Sequence, residues 1–129
     1  MIILDTNVIS EPLRQRPHLR VVEWMDQQNV ETLYLTAITV GELRYGLAVL
    51  PDGKRRTVLR ERLETEILGL FKGRILPYDL AASEAYGVLM ARAKGRGLSI
   101  GTADGNIAAI AKSNVMKVAT RDASPFIAS

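Results

Sequence analysis

The first seven residues constrain the fold of this chain more than any other stretch. The apolar residues 1–4 run without a break into Asp5, Thr6 and Asn7. Such a run is typical of a strand that is buried on both faces of a parallel sheet, and it delivers a carboxylate at the carboxyl end of the strand. Open α/β sheets bind their ligands at that edge. The local alternative is that Asp5 caps a helix or opens a turn.

Length and composition narrow the class of protein. The 129 residues predict one domain over residues 1–129. Because the chain has no cysteine and one histidine, His18, disulfides are excluded and acid–base chemistry falls to carboxylates, lysine or metal-bound water. The apolar start meets Asp5 too early for a signal peptide, and no apolar stretch approaches the roughly 20 residues of a membrane span. We therefore expect a cytoplasmic protein with no membrane partner.

Runs of β-forming residues alternate with helical patterns along the chain. After the first strand, further strands are predicted at residues 32–36, 74–78 and 115–120. Apolar spacing predicts helices between them, including one continuous helix over 54–71. The expected caps of the last three helices are Asp52, Asp79 and Thr102. This alternation predicts an α/β fold of three layers, α/β/α, around a central parallel sheet of four to five strands.

Acidic residues recur where strands end and helices begin. Asp122 follows the last predicted strand. Glu42 lies in the first turn of the helix predicted after the second strand, and Asp104 lies in the first turn of the helix predicted before the last strand. Strand ends and helix starts meet at one edge of such a sheet, so these three acids and Asp5 can converge. Local alternatives remain, since Thr39 and Glu42 fit a capping box and an acid is favourable in any first helical turn.

Four converging carboxylates favour a metal site. Ionised carboxylates within a few Å repel one another unless a cation lies between them or some are protonated. Oxygen ligands select hard ions, so Mg²⁺ or Mn²⁺ is expected rather than Zn²⁺. Such an ion lowers the pKa of a bound water and polarises a phosphate, which makes metal-activated water the expected nucleophile.

A basic cluster opens the predicted helix at residues 54–71. Its members are Lys54, Arg55, Arg56 and Arg60. Cations at a helix amino end are disfavoured by the helix dipole, so the cluster is a candidate for binding nucleic acid. The net charge of +3 permits such a partner. A solvated helix face is the alternative.

Four stretches of the sequence carry a family resemblance. They are residues 4–10, 38–43, 103–109 and 119–122. In this order and spacing they resemble the four acidic motifs of the PIN domain. In detail they are similar to VapC-type toxins of the FitB branch, the ribonuclease halves of bacterial type II toxin–antitoxin pairs. The resemblance runs over nearly the whole chain and includes Ser124, Pro125 and Phe126.

The resemblance implies cleavage of RNA that depends on Mg²⁺ or Mn²⁺. The implied catalytic metal ligands, direct or through water, are Asp5, Glu42, Asp104 and Asp122. The neighbours implied to orient them are Thr6, Asn7 and Thr120. Members usually form homodimers and are inhibited by a small DNA-binding antitoxin whose tail covers the active site. They generally continue into a further short strand, so we expect a C-terminal edge strand to be missing after Ser129.

Two other functions compete with the ribonuclease. A phosphatase would use Asp5 as a covalent nucleophile, although phosphatases of the haloacid dehalogenase type would have a second aspartate where Asn7 stands. A non-catalytic PIN-like module would bind RNA or a partner through the basic cluster.

Overall fold

The computed structural model describes residues 1–121, and in them four short strands form one parallel sheet. The strands are β1 (Ile2–Leu4), β2 (Leu33–Thr36), β3 (Ile75–Leu76) and β4 (Lys117–Ala119). Their order across the sheet is β3-β2-β1-β4, and every neighbouring pair is parallel. The predicted parallel sheet is therefore confirmed, with four strands in this part of the chain. β3 is shorter than predicted because Pro77 cannot donate to a sheet ladder.

Helices separate the strands in the predicted alternation. They are α1 (Thr6–Ile9), α2 (Leu19–Gln27), α3 (Ala37–Ala48), α4 (Lys54–Glu61), α5 (Leu68–Leu70), α6 (Leu80–Gly95) and α7 (Thr102–Ser113). Two short 3-10 helices add Glu11–Leu13 and Val30–Thr32. Among the helices of residues 1–121, none has the length and apolarity that crossing a bilayer requires.

The predicted continuous helix over residues 54–71 is wrong in one respect. A π-helix over Arg62–Ile67 separates α4 from α5. Leu59, Leu63 and Ile67 follow one another at intervals of four residues, and this spacing drifts around an α-helix of 3.6 residues per turn. The wider π turn keeps all three in the same core cluster.

Helices cover both faces of the sheet, which confirms the three layers. Successive side chains of a strand point to opposite faces. Leu4 of β1 packs into one core with α1, α3 and α4. Ile3 packs into the other core with Ala82 of α6 and with Ile107 and Ile110 of α7. Ile3 and Leu4 are neighbours in β1 and point to opposite faces, yet both are fully buried. The apolar run at the start of the sequence predicted this burial on both faces.

The start of α3 differs from the prediction and moves Glu42. Thr36, the last residue of β2, is the N-cap, and its hydroxyl oxygen accepts a hydrogen bond from the Thr39 N–H at 3.1 Å. The capping box of Thr39 and Glu42 is therefore wrong, and Glu42 lies in the second turn of α3. The strand passes directly into the helix, so the cap falls on the final strand residue.

Of the three caps predicted for the later helices, Asp52, Asp79 and Thr102, only Asp79 is confirmed, and its carboxylate accepts from the Ala82 N–H at 2.9 Å. Gly53 is the N-cap of α4, while Asp52 forms an ion pair with Arg56 one turn on. Gly101 rather than Thr102 is the N-cap of α7. The side-chain caps predicted for α4 and α7 are therefore wrong, because a glycine occupies the N-cap position of each helix.

Helices α6 and α7 end in the same backbone conformation with different residues. The left-handed position is Gly97 after α6, with φ of 72°, and Val115 after α7, with φ of 55°. After Val115, the Met116 N–H donates to the Ala111 carbonyl at 2.9 Å, as in a Schellman motif. Left-handed conformations are costly for L-residues and most so for β-branched ones.

We expect Val115→Gly to raise the free energy of unfolding by about 1 kcal/mol, because it removes this backbone strain. Val115 is 93% exposed, so the change gives up almost no buried apolar surface. Urea denaturation measures the effect. The matched control is Gly97→Ala, which introduces the same strain after α6 and is expected to lower stability. A loss of stability in Val115→Gly would contradict this account.

Candidate active site

Asp5 lies at the carboxyl end of β1, beside the end of β4. The register pairs Leu4 with Ala119, and the Asp5 N–H extends this ladder by donating to the Ala119 carbonyl at 2.9 Å. The Asp5 side chain is only 3% exposed. One carboxylate oxygen accepts from the Thr6 N–H and the other from the Thr120 hydroxyl, both at 2.8 Å. Asp5 is also the N-cap of α1, so the capping interpretation holds together with its place at the sheet edge.

Glu42 reaches the same edge from α3. Its Oε1 accepts a hydrogen bond from the Thr6 hydroxyl at 2.7 Å. Thr6 therefore links two of the predicted acids, since its N–H binds Asp5 and its hydroxyl binds Glu42. Unlike Asp5, Glu42 is exposed, so it is available to a ligand in solvent.

Two buried threonines support Thr6 and were missed as site residues. Thr39 and Thr36 are both fully buried. The Thr39 Oγ1 lies 3.1 Å from the Thr6 Oγ1 and 3.3 Å from the Thr36 Oγ1. A chain of hydroxyls thus runs from the cap of α3 to Glu42. Thr39 precedes Glu42 by about one helical turn, and a polar residue on the buried face of a helix was the available signal.

Asp104 occupies the first turn of α7 and is half-buried. Because α7 leads into the amino end of β4, its own first turn lies toward the carboxyl edge of the sheet. A Cβ placed on Gly101 would lie 3.9 Å from the Asp104 Oδ2. The remaining predicted acid, Asp122, lies outside the described residues, as do Ser124, Pro125 and Phe126 of the resemblance.

The donor set suits a hard cation, although the described residues do not assemble a complete site. Within residues 1–121, no three His, Cys, Asp or Glu side chains lie close enough together to hold a metal ion. The structure joins Asp5 and Glu42 through Thr6. An ionised carboxylate offers about four acceptor positions, so the two hydrogen bonds to Asp5 leave positions for an ion. All predicted donors are oxygens, which is the chemistry of Mg²⁺ and Mn²⁺ sites.

A groove of about 380 Å³ opens beside Thr6 and Glu42. Arginine side chains from two segments, Arg14 and Arg55, also line it. Its apolar lining consists of Leu13, Leu43, Leu47, Leu50 and Leu59. The groove therefore combines the Glu42 carboxylate, two guanidinium groups and an apolar lining.

The four residues of the predicted basic cluster do not form one surface patch. Of its four members only Arg55 lines the groove. Arg56 instead forms an ion pair with Asp52. Lys54 and Arg60 are exposed on α4. Arg14, which is not a member of the predicted cluster, is the second arginine at the groove.

Glu11 is a second buried acid that the sequence did not single out. Only 1% of it is exposed. Its carboxylate accepts from the His18 backbone N–H at 2.9 Å and from the Arg121 Nη1 at 2.7 Å, and the Arg14 Nη1 lies 3.4 Å away. The His18 N–H above all, together with Arg14 and Arg121, holds the pKa of Glu11 below its usual range. Its residue type in a 3-10 turn gave no sign of this burial.

Asn7 is exposed on α1 and follows Thr6 in the sequence. Thr6 and Thr120, named with it from the resemblance, both contact Asp5 directly.

The parallel sheet with an acidic residue at its carboxyl edge is the arrangement of a PIN domain, and the family model described as PIN domain matches residues 2–127. The VapC ribonuclease Y4jK of Sinorhizobium fredii is 58% identical over 98% of this chain and 90% of its own length. Toxin FitB of Neisseria gonorrhoeae is 55% identical over 99% of this chain and 92% of its own length.

Solved structures agree with these matches. The structure of FitAB bound to an IR36 DNA fragment superposes with a TM-score of 0.95 at 54% identity, covering 99% of this chain and 90% of that one. The chain therefore belongs to the PIN-domain family, in the branch of VapC ribonucleases and FitB toxins. The family resemblance drawn from the four motifs is confirmed.

We expect Thr6→Val to lower the free energy of unfolding by about 1 kcal/mol, because the hydroxyl that binds Glu42 and contacts Thr39 is lost at nearly constant volume. Thermal and urea denaturation measure the loss. Thr6→Ser keeps the hydroxyl and is the control, so it should retain most of the stability. Equal stability of Thr6→Val and the original protein would show that the hydroxyl chain contributes nothing.

Proposed function

We propose that this chain is a metal-dependent endoribonuclease and the toxin component of a type II toxin–antitoxin pair. The observation that carries the proposal is the buried Asp5, joined through Thr6 to Glu42, which lines a groove together with two arginines. Membership of the VapC and FitB branch supports the same activity. Its substrate is RNA, and the reaction is hydrolysis of a phosphodiester.

The proposed cofactor is Mg²⁺ or Mn²⁺. The residues that would hold it, directly or through water, are Asp5, Glu42, Asp104 and Asp122. When bound, the ion supplies Lewis acidity toward the phosphate and a lowered pKa for the attacking water. The carboxylate oxygens of this set and the absence of cysteine favour these ions over Zn²⁺.

The side chains around Asp5 orient the site. The Thr6 N–H and the Thr120 hydroxyl hold both oxygens of Asp5 in place, and the Thr6 hydroxyl holds Glu42. Fixed carboxylates lose little entropy on binding a ligand. Because both oxygens of Asp5 accept hydrogen bonds and the group is buried, it is a poor covalent nucleophile. This favours hydrolysis by water over the phosphatase alternative.

The arginines of the groove would bind the substrate backbone. Arg14 and Arg55 lie on the same groove as Glu42. Guanidinium groups bind phosphate oxygens with charge-assisted hydrogen bonds, which position a nucleic acid without reading its bases. These two arginines would therefore not determine which RNA sequence is cleaved.

The proposed partners are a small DNA-binding antitoxin and a second copy of this chain. The related FitAB pair is described as bound to a DNA fragment, which supports an antitoxin partner. The apolar floor of the groove could accommodate an antitoxin segment. On α6, Leu80 is 85% exposed and Val88 is 50% exposed, and burial of these residues would favour a homodimer. An RNA substrate and a DNA-binding partner agree with a cytoplasmic location.

We expect Asp5→Asn to lower RNA cleavage by more than about 100-fold, since loss of a group that only supports a metal ligand already costs about 10–100-fold. Cleavage of a labelled RNA in Mg²⁺ or Mn²⁺ measures the activity, and RNA binding by the variant should remain. The matched control is Asp26→Asn, which changes an exposed aspartate of α2 and should leave cleavage unchanged.

Four outcomes would contradict the ribonuclease proposal. Metal-independent cleavage, or cleavage that survives in Asp5→Asn, would point to a contaminating nuclease. RNA binding without cleavage in either metal would favour the non-catalytic module. Hydrolysis of small phosphate esters, with no action on RNA, would favour the phosphatase.

We expect Mg²⁺ or Mn²⁺ to raise the melting temperature, because a ligand that binds only the native state stabilises it, by about 2.7 kcal/mol at 100 times its Kd. The rise should be smaller in Asp104→Asn, and Asp26→Asn should match the original protein. Thermal melts with and without EDTA measure the effect. An unchanged melting curve at saturating metal would count against the proposed site.

A further inference from the structure

Glu11 and Arg121 form an ion pair next to the site, and the proposed reaction does not use it. The Arg121 Nη1 donates to the Glu11 Oε1 at 2.7 Å. Glu11 is 1% exposed, whereas Arg121 is 39% exposed. The acid is thus the fixed member of the pair, and its other oxygen is held by the His18 N–H at 2.9 Å.

The pair connects the segments that follow α1 and β4. Glu11 comes two residues after α1 ends at Ile9. Arg121 directly follows Thr120, whose hydroxyl binds Asp5, and directly precedes Asp122 in the sequence. The pair therefore holds the chain one residue beyond the contact that orients Asp5.

Side-chain contacts join the segment after β4 to Asp5 and to Glu11. In the described part of the chain, β4 pairs with β1 alone, and the last paired residue is Ala119. Beyond it, the Thr120 hydroxyl binds Asp5 and the Arg121 guanidinium binds Glu11. Buried ion pairs add little net stability, and fixing one geometry is a better-supported role for them.

We propose that Glu11 is a positioning residue that acts through Arg121, holds the carboxyl end of β4 against Asp5, and thereby sets the affinity of the acidic site for a divalent cation. The inference rests on the proposed metal-dependent function. Groups that support metal ligands from behind typically change metal affinity by about 10–100-fold when they are mutated.

Mn²⁺ binding to the purified protein tests this directly, by calorimetry or by the electron paramagnetic resonance signal of free Mn²⁺. We expect Glu11→Gln to raise the Kd for Mn²⁺ about 10-fold, and Arg121→Gln to do the same. The double variant should bind Mn²⁺ no more weakly than Glu11→Gln alone, because Arg121→Gln removes a partner that Glu11→Gln has already lost. Arg121 is partly exposed, so Arg121→Gln keeps the test valid should Glu11→Gln fail to fold.

The matched control is Glu64→Gln, which breaks the exposed ion pair of Glu64 with Arg44, 2.9 Å long and between two helices. Its Kd for Mn²⁺ should stay within about twofold of the original value. If Glu11→Gln lowers the melting temperature but its Kd for Mn²⁺ also stays within about twofold of the original value, Glu11 has a structural role only and the proposal is overturned.

A readout without metal completes the test. The Asp5 amide, which donates to Ala119, should exchange hydrogen faster in Glu11→Gln, while the Leu35 amide, which donates to Arg74, should not. Equal acceleration at both amides means global destabilisation and contradicts the proposal. If the original protein binds no Mn²⁺, the metal-dependent function fails and the inference fails with it, whereas binding that is insensitive to Glu11 defeats the inference alone.

Discussion

Burial of the Asp5 carboxyl group is the constraint that explains how β1 and β4 are arranged. A carboxyl group that is 3% exposed is costly to bury unless hydrogen bonds replace those it makes with water. One replacement comes from the adjacent Thr6, but the other comes from Thr120, 115 residues away in sequence. Asp5 is therefore satisfied only when β1 and β4 pair in the register that sets Leu4 against Ala119. The pairing of β1 with β4 therefore also provides the hydrogen bond from Thr120 to Asp5.

The same requirement explains why the carboxyl edge of the sheet is polar although it is buried. Glu11, Thr36 and Thr39 are as inaccessible as the apolar core. Within residues 1–121, every buried side-chain nitrogen or oxygen has a hydrogen-bond partner. Apolar packing tolerates small shifts, whereas a hydrogen-bonded network in a low dielectric tolerates few. The polar edge thus fixes the geometry of the site, and the two apolar cores on either side supply the stability.

The sequence predicted the features that depend on neighbouring residues. An apolar run ending in Asp5 defines a buried strand locally, and so does the alternation of strands and helices. Glu11 could not be found in this way, because the groups that hold it are 7 and 110 residues distant. The cap of α3 was misplaced because Thr36 and Thr39 both suit a cap, and only the end of β2 decides between them. Asp5 was predicted either as a helix cap or as an acid at the carboxyl edge of the sheet, and the structure shows it to be the N-cap of α1 at that edge.

Charges of both signs around the groove give the proposed function a further physical consequence. The carboxylates of Asp5 and Glu42 repel a phosphate, while Arg14 and Arg55 attract it. A divalent cation held by the acids would reverse the sign of the field at the point where the scissile phosphate must lie. RNA should then bind more tightly to the metal-loaded protein. Because such coupling between binding free energies is reciprocal, RNA must strengthen metal binding by the same factor. A weak site in the free protein would therefore still be occupied in the complex with RNA.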